Sequence, residues 1–384
     1  MVAAVRRGAS VRAAAKRFGV AHSTVEHWVA RAAGQRLDRV DFASQRPGPR
    51  RPSNKSSPEV EQLVLTIRRE LMESSALGEF GAVAIRQEMV RRGVAEVPSV
   101  RTIGRILERR GALDGRKRVR RPPPPRGWYL PEVAAQRAEL DSFDIVEGLV
   151  IQGGYSVEVL NAISLWGGLA ESWPRAKITA KASVSAILGH WRCFGLPSYA
   201  QFDNDTVFQG AHHHRDSLGR VTRMCLALDV VPVFTPPRET GFQAMIENFN
   251  GRWQAKVWSR FAFESRKQLQ SQSSKFITAS RRRAAARIEN APSRYCFPDH
   301  WQLDLQGELR GHVVFLRRTN DQGRASLLGR TFAVDRSWPH RLVRAVVDLD
   351  EDVIHFYALR RRQPDWQPLL HTAEYHFPRK PFHE

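Results

Sequence analysis

Three separated acidic stretches carry the reading of this chain: Glu139-Leu140-Asp141-Ser142-Phe143-Asp144, Gln201-Phe202-Asp203-Asn204-Asp205 and Ile246-Glu247-Asn248-Phe249-Asn250. Asp141 lies in an apolar-flavoured run that continues to Val150, and Asp203 ends the run Tyr199-Ala200-Gln201-Phe202. Glu247 stands among Ile246, Phe249, Trp253 and Val257, which repeat with helical period. Each acid therefore sits where a strand end or a helix start can bring it towards the others. Hard divalent cations take one or two protein carboxylates each and leave positions for phosphate and water. Three converging carboxylates suit a two-metal phosphoryl-transfer site, with the ions about 3.5–4 Å apart.

In this order the stretches resemble the integrase core shared by retroviral integrases and bacterial insertion-sequence transposases, over about residues 135 to 270. The resemblance implies a ribonuclease-H-like fold with an Asp, Asp, Glu signature. On this chain it places Asp141, Asp203 and Glu247 as catalytic residues and as ligands of Mg2+ (or Mn2+), as two ions. It also implies water and then a DNA 3′-hydroxyl as nucleophiles. The chain departs from the pattern in two places. Where the family reads Asn-Gly-x-Glu-Phe after its second acid, this chain has Asn204-Asp205-Thr206-Val207-Phe208. The family's usual separation to the third acid lands on Glu239. Glu247 is preferred because Glu247-Asn248-Phe249-Asn250 resembles the family's Glu-x-Phe-Asn and because 210–219 reads as a loop insertion. Asp144 stays open beside Asp141, since residues three apart in a strand point to opposite faces and only one can join the pocket.

The 384 residues carry 60 Lys and Arg against 39 Asp and Glu, a formal charge of +21. Such a balance favours a polyanionic partner over a small neutral substrate. Residues 1–130 hold 27 of the basic residues and 12 of the acidic ones. Three cysteines, Cys193, Cys225 and Cys296, have neither disulfide-framework nor zinc spacing. No run of about 18 apolar residues is present to span a bilayer, so no membrane partner is expected and a cytoplasmic, nucleoid-associated protein is.

The expected organisation is multidomain α/β: N-terminal helix-turn-helix units, a ribonuclease-H-like catalytic core and a small C-terminal β-barrel. Residues 1–38 read as a helix-turn-helix, with Ser10 and Ser23 as N-caps and Ser23, Thr24 and His27 at the start of the helix that would enter the major groove. A linker over 39–57 leads to a second helix-turn-helix over 58–114, capped by Ser99 and carrying Arg101 and Arg105 on its third helix. A basic, proline-rich linker follows at 115–134, with Arg116, Lys117 and Arg118 as phosphate contacts. The core spans 135–280, and Arg252 and Lys256, joined by Arg260, form a cationic edge for DNA on the helix that carries Glu247. A helix and linker occupy 281–308, the barrel 309–365 and a tail 366–384, with Arg317, Arg318 and Arg360 to Arg362 as a nonspecific DNA surface.

The expected protein is a transposase that binds the terminal inverted repeats of an insertion sequence as a homo-oligomer on double-stranded DNA and performs metal-dependent strand cleavage and transfer. The alternative is a DNA-binding regulator with an inactive core. Ser23 and Thr24 changed together to Ala should lower the preference for the element's own end over random DNA. Competition binding against random duplex measures this, and equal losses on both DNAs would remove the two residues from base reading.

Overall fold

The structure, a computed structural model, describes residues 1–43, 56–113, 126–210, 214–361, 363–378 and 381–382. Arg116, Lys117, Arg118, Pro122 to Pro125, His212, His213, Arg362 and most of the 39–57 linker lie outside the described residues. Two units are resolved by their internal contacts, Met1–Gln62 and Leu63–Glu384.

The first unit contains α1 (Val2–Arg6), α2 (Val11–Phe18) and α3 (His22–Arg31) around buried Ala14, Ala15 and Val25. Ser10 caps α2 as expected, accepting from the Ala13 amide at 3.1 Å. Gly19 closes α2 at φ 64, in the left-handed region that glycine enters without steric cost. The reversal is so tight that Ala21 already takes the extended conformation before α3. Ser23 therefore lies inside α3 and is no cap, contrary to expectation.

The second unit begins within α4 (Pro58–Ser74), which packs with α5 (Ala82–Arg91) and α6 (Val100–Arg109) around Val64, Ile67, Ile85, Met89, Ile103, Ile106 and Leu107. Ser99 caps α6 through the Thr102 amide at 3.2 Å. The chain continues through α7 (Pro131–Ala134), β1 (Leu140–Ile151), β2 (Tyr155–Ser164), β3 (Ala170–Arg175), α8 (Ala180–Phe194), β4 (Tyr199–Phe202), α9 (Thr206–Gln209), α10 (Arg220–Leu226) and β5 (Val231–Phe234). Then follow α11 (Ala244–Lys256), α12 (Arg266–Glu289), β6 (His312–Arg318), β7 (Arg324–Leu327), β8 (Arg330–Ala333), β9 (Leu342–Asp348), β10 (Val353–Ala358) and β11 (Leu369–Glu374).

Nine strands form one mixed sheet in the order β11-β10-β9-β6-β5-β4-β1-β2-β3. β1, β2 and β3 are antiparallel neighbours, whereas β4 and β5 run parallel to β1. The expected separate barrel over 309–365 is not what forms. β6 pairs in parallel with β5 through Val233 beside Val314 and Phe234 beside Phe315, and β9, β10 and β11 extend the sheet from there. The reason is that β5 is buried on both faces, so its open row of backbone donors and acceptors needs a pairing partner. An aromatic row crosses the junction: Phe143 to Phe202 at 5.3 Å between ring centres, Phe202 to Phe234 at 6.1 Å and Phe234 to Phe315 at 5.2 Å. α8 and α10 cover that face, while α11 and α12 pack on the other through Ile246, Phe249, Trp253, Leu269 and Phe276.

The turn between α4 and α5 is bound to the end of α11. Lys256 Nζ donates to the Gly78 carbonyl at 2.9 Å, and Arg260 donates to Ser75 O at 2.6 Å and Glu73 O at 2.9 Å. The last carbonyls of a helix lack intrahelical donors and carry partial negative charge, so they draw cations. Glu79 lies 3.8 Å from Arg252 and also pairs with Arg283. The cationic edge expected to hold DNA is thus engaged within the protein: Arg252, Lys256 and Arg260 bind the second helical unit. Glu79→Ala should speed amide exchange over 75–80 severalfold at a stability cost of no more than about 1 kcal/mol, since the pairs are partly exposed. Hydrogen exchange measures it, and unchanged protection would mean that the carboxylate adds nothing to the contact.

Candidate active site

β1 and β4 run side by side with Leu140 beside Tyr199, Asp141 beside Ala200 and Ser142 beside Gln201. Carried two residues further, the same register sets Asp144 at the level of Asp203, which directly follows β4. Strand alternation sends Asp144 to the face opposite Asp141. That is the face under α11, whose first turn carries Glu247.

The electrostatics report this convergence. Burial raises the Asp144 carboxyl, and the charges of Asp203 and Glu247 push it further, to about 7. Asn250, one turn beyond Glu247, donates to Asp144 Oδ2 at 2.6 Å and accepts from Asn161 Nδ2 at 2.8 Å. Asn161 is the cross-strand neighbour of Asp144 and is fully buried, so the amide relay fixes the direction of the carboxylate. Burial also raises Asp203, with Asp205 and Glu147 adding repulsion against a hydrogen bond from the Asp205 amide. Asp205, where the sequence leaves the family pattern, caps α9 through the Val207 amide at 2.7 Å. Asn204 donates to Thr235 O at 2.7 Å and accepts from Arg317 at 2.9 Å. Arg317 itself is buried, which lowers its pKa to about 10, and its other donors meet backbone carbonyls. It supports the loop after β4 and offers no DNA surface.

Asp141, the expected ligand, lies on the opposite face of β1. Its carboxylate is 1% exposed and meets Arg294 through two bonds, at 2.9 and 2.6 Å, and the Trp191 indole at 3.0 Å. Burial works to raise it, but Arg294 holds it below the usual carboxylate range. Its two oxygens point towards α8 and away from Asp203. Glu239, the alternative third acid, is clamped by Arg318 at 2.6 and 2.9 Å. Ser23 and His27 are exposed on α3 and Thr24 is half-buried, while Arg101 and Arg105 are exposed on α6. Gly210 and Gly219 close the neck of the expected insertion, where a Cβ on Gly210 would stand 2.7 Å from the Gly219 Cα.

Asn250 stands in the Glu-x-Phe-Asn stretch, but its orienting bond to Asp144 is not read from the sequence. The roles of Asn161 and Arg294 have no sequence signature at all. Among the described residues no group of three or more His, Cys, Asp or Glu side chains is placed to hold a metal ion. The chemistry of the donors nevertheless suits one: two half-buried carboxylates and an exposed one are all-oxygen ligands whose charge a hard divalent cation would neutralise.

No protein-family model matches the sequence, and neither does any curated protein. Solved structures do match. A chain of the simian T-cell lymphotropic virus intasome, solved with the PP2A regulatory subunit B56 gamma, is 14% identical at a TM-score of 0.31, over 50% of this chain and 63% of that one. The catalytic core domain of BIV integrase is 15% identical at a TM-score of 0.27, over 36% and 81%. The HTLV-2 integrase catalytic core domain in complex with magnesium is 13% identical at 0.27, over 37% and 81%.

The folded protein keeps the Asp144 proton up to about pH 7, whereas the unfolded chain releases it in the ordinary carboxylate range. The folded state therefore binds more protons in that window, and stability falls as pH rises through it. Asp144→Asn should remove this loss and raise Tm near about pH 8 more than near about pH 5. Arg294→Ala leaves Asp141 buried without its cation and should cost about 3–5 kcal/mol at neutral pH. Thermal melts of both variants check the assignment, and a Tm gain from Arg294→Ala or a collapse from Asp144→Asn would reverse it.

Proposed function

We propose that the chain is a DNA transposase or integrase that cleaves DNA strands and joins them, using divalent cations held by Asp144, Asp203 and Glu247. The observation that carries this is the register that sets Asp144 level with Asp203 on the face under the α11 turn bearing Glu247; burial and, after it, the charges of Asp203 and Glu247 raise the Asp144 carboxyl to about 7. The strand order β3-β2-β1-β4-β5, antiparallel and then parallel, supports a ribonuclease-H-like core beneath them.

Bound Mg2+ or Mn2+ would supply activation of the attacking hydroxyl and neutralisation of the leaving oxygen. The protein's own part is positioning. Asn161 and Asn250 aim Asp144, the Asp205 amide steadies Asp203, and the apolar face of α11 fixes the base of Glu247. No side chain is needed as a covalent nucleophile, because water and then a DNA 3′-hydroxyl fill that role. The exposed Ser23 and His27 with Thr24 on α3, and Arg101 and Arg105 on α6, are the surfaces offered to double-stranded DNA at the ends of an element. The net charge of +21 supports a polyanionic partner. Assembly of a homo-oligomer on two DNA ends belongs to the same proposal.

Asp144→Asn and Glu247→Gln should each abolish Mg2+-dependent cleavage and the rise in Tm on adding Mg2+, while Glu239→Gln leaves most of both. An end-cleavage assay on purified protein together with melting curves reads the outcome. Cleavage retained by Asp144→Asn would sink the site, and loss in Glu239→Gln alone would move the third ligand to the loop.

A further inference from the structure

A cleft of about 780 Å3 opens among the C-terminal strands, lined by Arg318, Trp338, Arg341, Arg360 and Arg361 with their neighbours. Through Arg360 and Gln363 it adjoins a second cleft of about 610 Å3, lined also by Pro364, Asp365 and Trp366, and a stack of alternating cations and indoles runs across both. The Arg341 guanidinium lies 4.7 Å from the Trp338 ring centre, and Arg360 lies 5.0 Å from Trp338 and 4.3 Å from Trp366. Trp338 is buried and anchored by its Nε1 donating to Leu342 O at 3.0 Å, whereas Trp366, at the end of the stack, is 46% exposed. Arg318 is paired with Glu239, but among the described residues no carboxylate forms an ion pair with Arg341, Arg360 or Arg361.

Guanidiniums that lack a carboxylate are open to phosphate, to which their planar donor fork is matched. An exposed indole face backed by a cation offers a stacking platform to any base. A duplex keeps its base faces inside the helix, so charge alternating with aromatic rings selects an unpaired strand. We infer that these adjoining clefts bind single-stranded DNA, its phosphates on Arg341 and Arg361 in the first and a base on the exposed Trp366 ring in the second. The place is apt: Arg318 holds Glu239, and Arg361 reaches Gly241, where a Cβ would lie 3.4 Å from its guanidinium. Residues 236–243 then lead directly into α11 and Glu247. A strand in the cleft therefore borders the segment that delivers the third acid.

The choice of DNA as ligand rests on the proposed strand-cleaving function. The test is binding of the full chain to a short oligothymidylate strand in EDTA, so that a failed cleavage assay and a failed binding assay are separate results. Trp366→Ala should weaken strand binding on the order of tenfold, the loss of one base stack. Trp366→Phe should restore most of it, and duplex affinity should change little in either variant. Arg341→Gln with Arg361→Gln should lower the salt dependence of strand binding by about two phosphate contacts. Equal losses of strand and duplex in Trp366→Ala, or a free thymidine nucleotide that binds as tightly as the strand, would overturn the inference.

Discussion

The site depends on one constraint, the parallel register of β1 against β4. Backbone hydrogen bonding aligns Leu140, Asp141 and Ser142 with Tyr199, Ala200 and Gln201. Once those three pairs are made, Asp144 and Asp203 can only come out level. A one-residue slip would send every side chain of one strand to the other face. The slip is resisted by burial: Phe143 and Phe202 stack on one face, Ser142 bonds Gln201 at 3.0 Å on the other, and neither pair survives a shift.

Cations then sort the acids. Asp141 and Glu239 have the chemistry of ligands, but each is neutralised by an arginine from a distant part of the chain, Arg294 and Arg318 respectively. Asp144, Asp203 and Glu247 have no such partner among the described residues. Strand pairing and the packing of α11 set them on one face, where burial and, after it, the charges of Asp203 and Glu247 raise the Asp144 carboxyl. Placing like charges together without neutralising them costs stability, which is the physical ground on which these three residues are proposed as ligands.

The basic residues divide the same way. Arg252, Lys256, Arg260 and Arg317, all plausible DNA contacts by charge, satisfy carbonyls or carboxylates within the protein. Arg101 and Arg105 on α6, by contrast, are exposed, and Arg341, Arg360 and Arg361 along the C-terminal cleft have no carboxylate partner among the described residues. A high net charge is thus a poor guide to which arginines bind: part of it is spent on joining the second helical unit to α11.

The sequence by itself determined the elements and the short list of acids. The helical period of Ile246, Phe249, Trp253 and Val257 places the helix that carries Glu247, and turn chemistry places the caps at Ser10 and Ser99. Strand parity alone says that Asp141 and Asp144 cannot share a pocket. Parity is symmetric, however, and does not say which of the two belongs to it. That was decided by which helix lies on which face: α8 brings Trp191 to Asp141 and α11 brings Asn250 to Asp144. Arg294, 153 residues from Asp141, and the pairing of β5 with β6 were likewise beyond a local reading. Register, ion pairing and sheet continuation are contacts between segments far apart in the chain, and local periodicity carries no record of them.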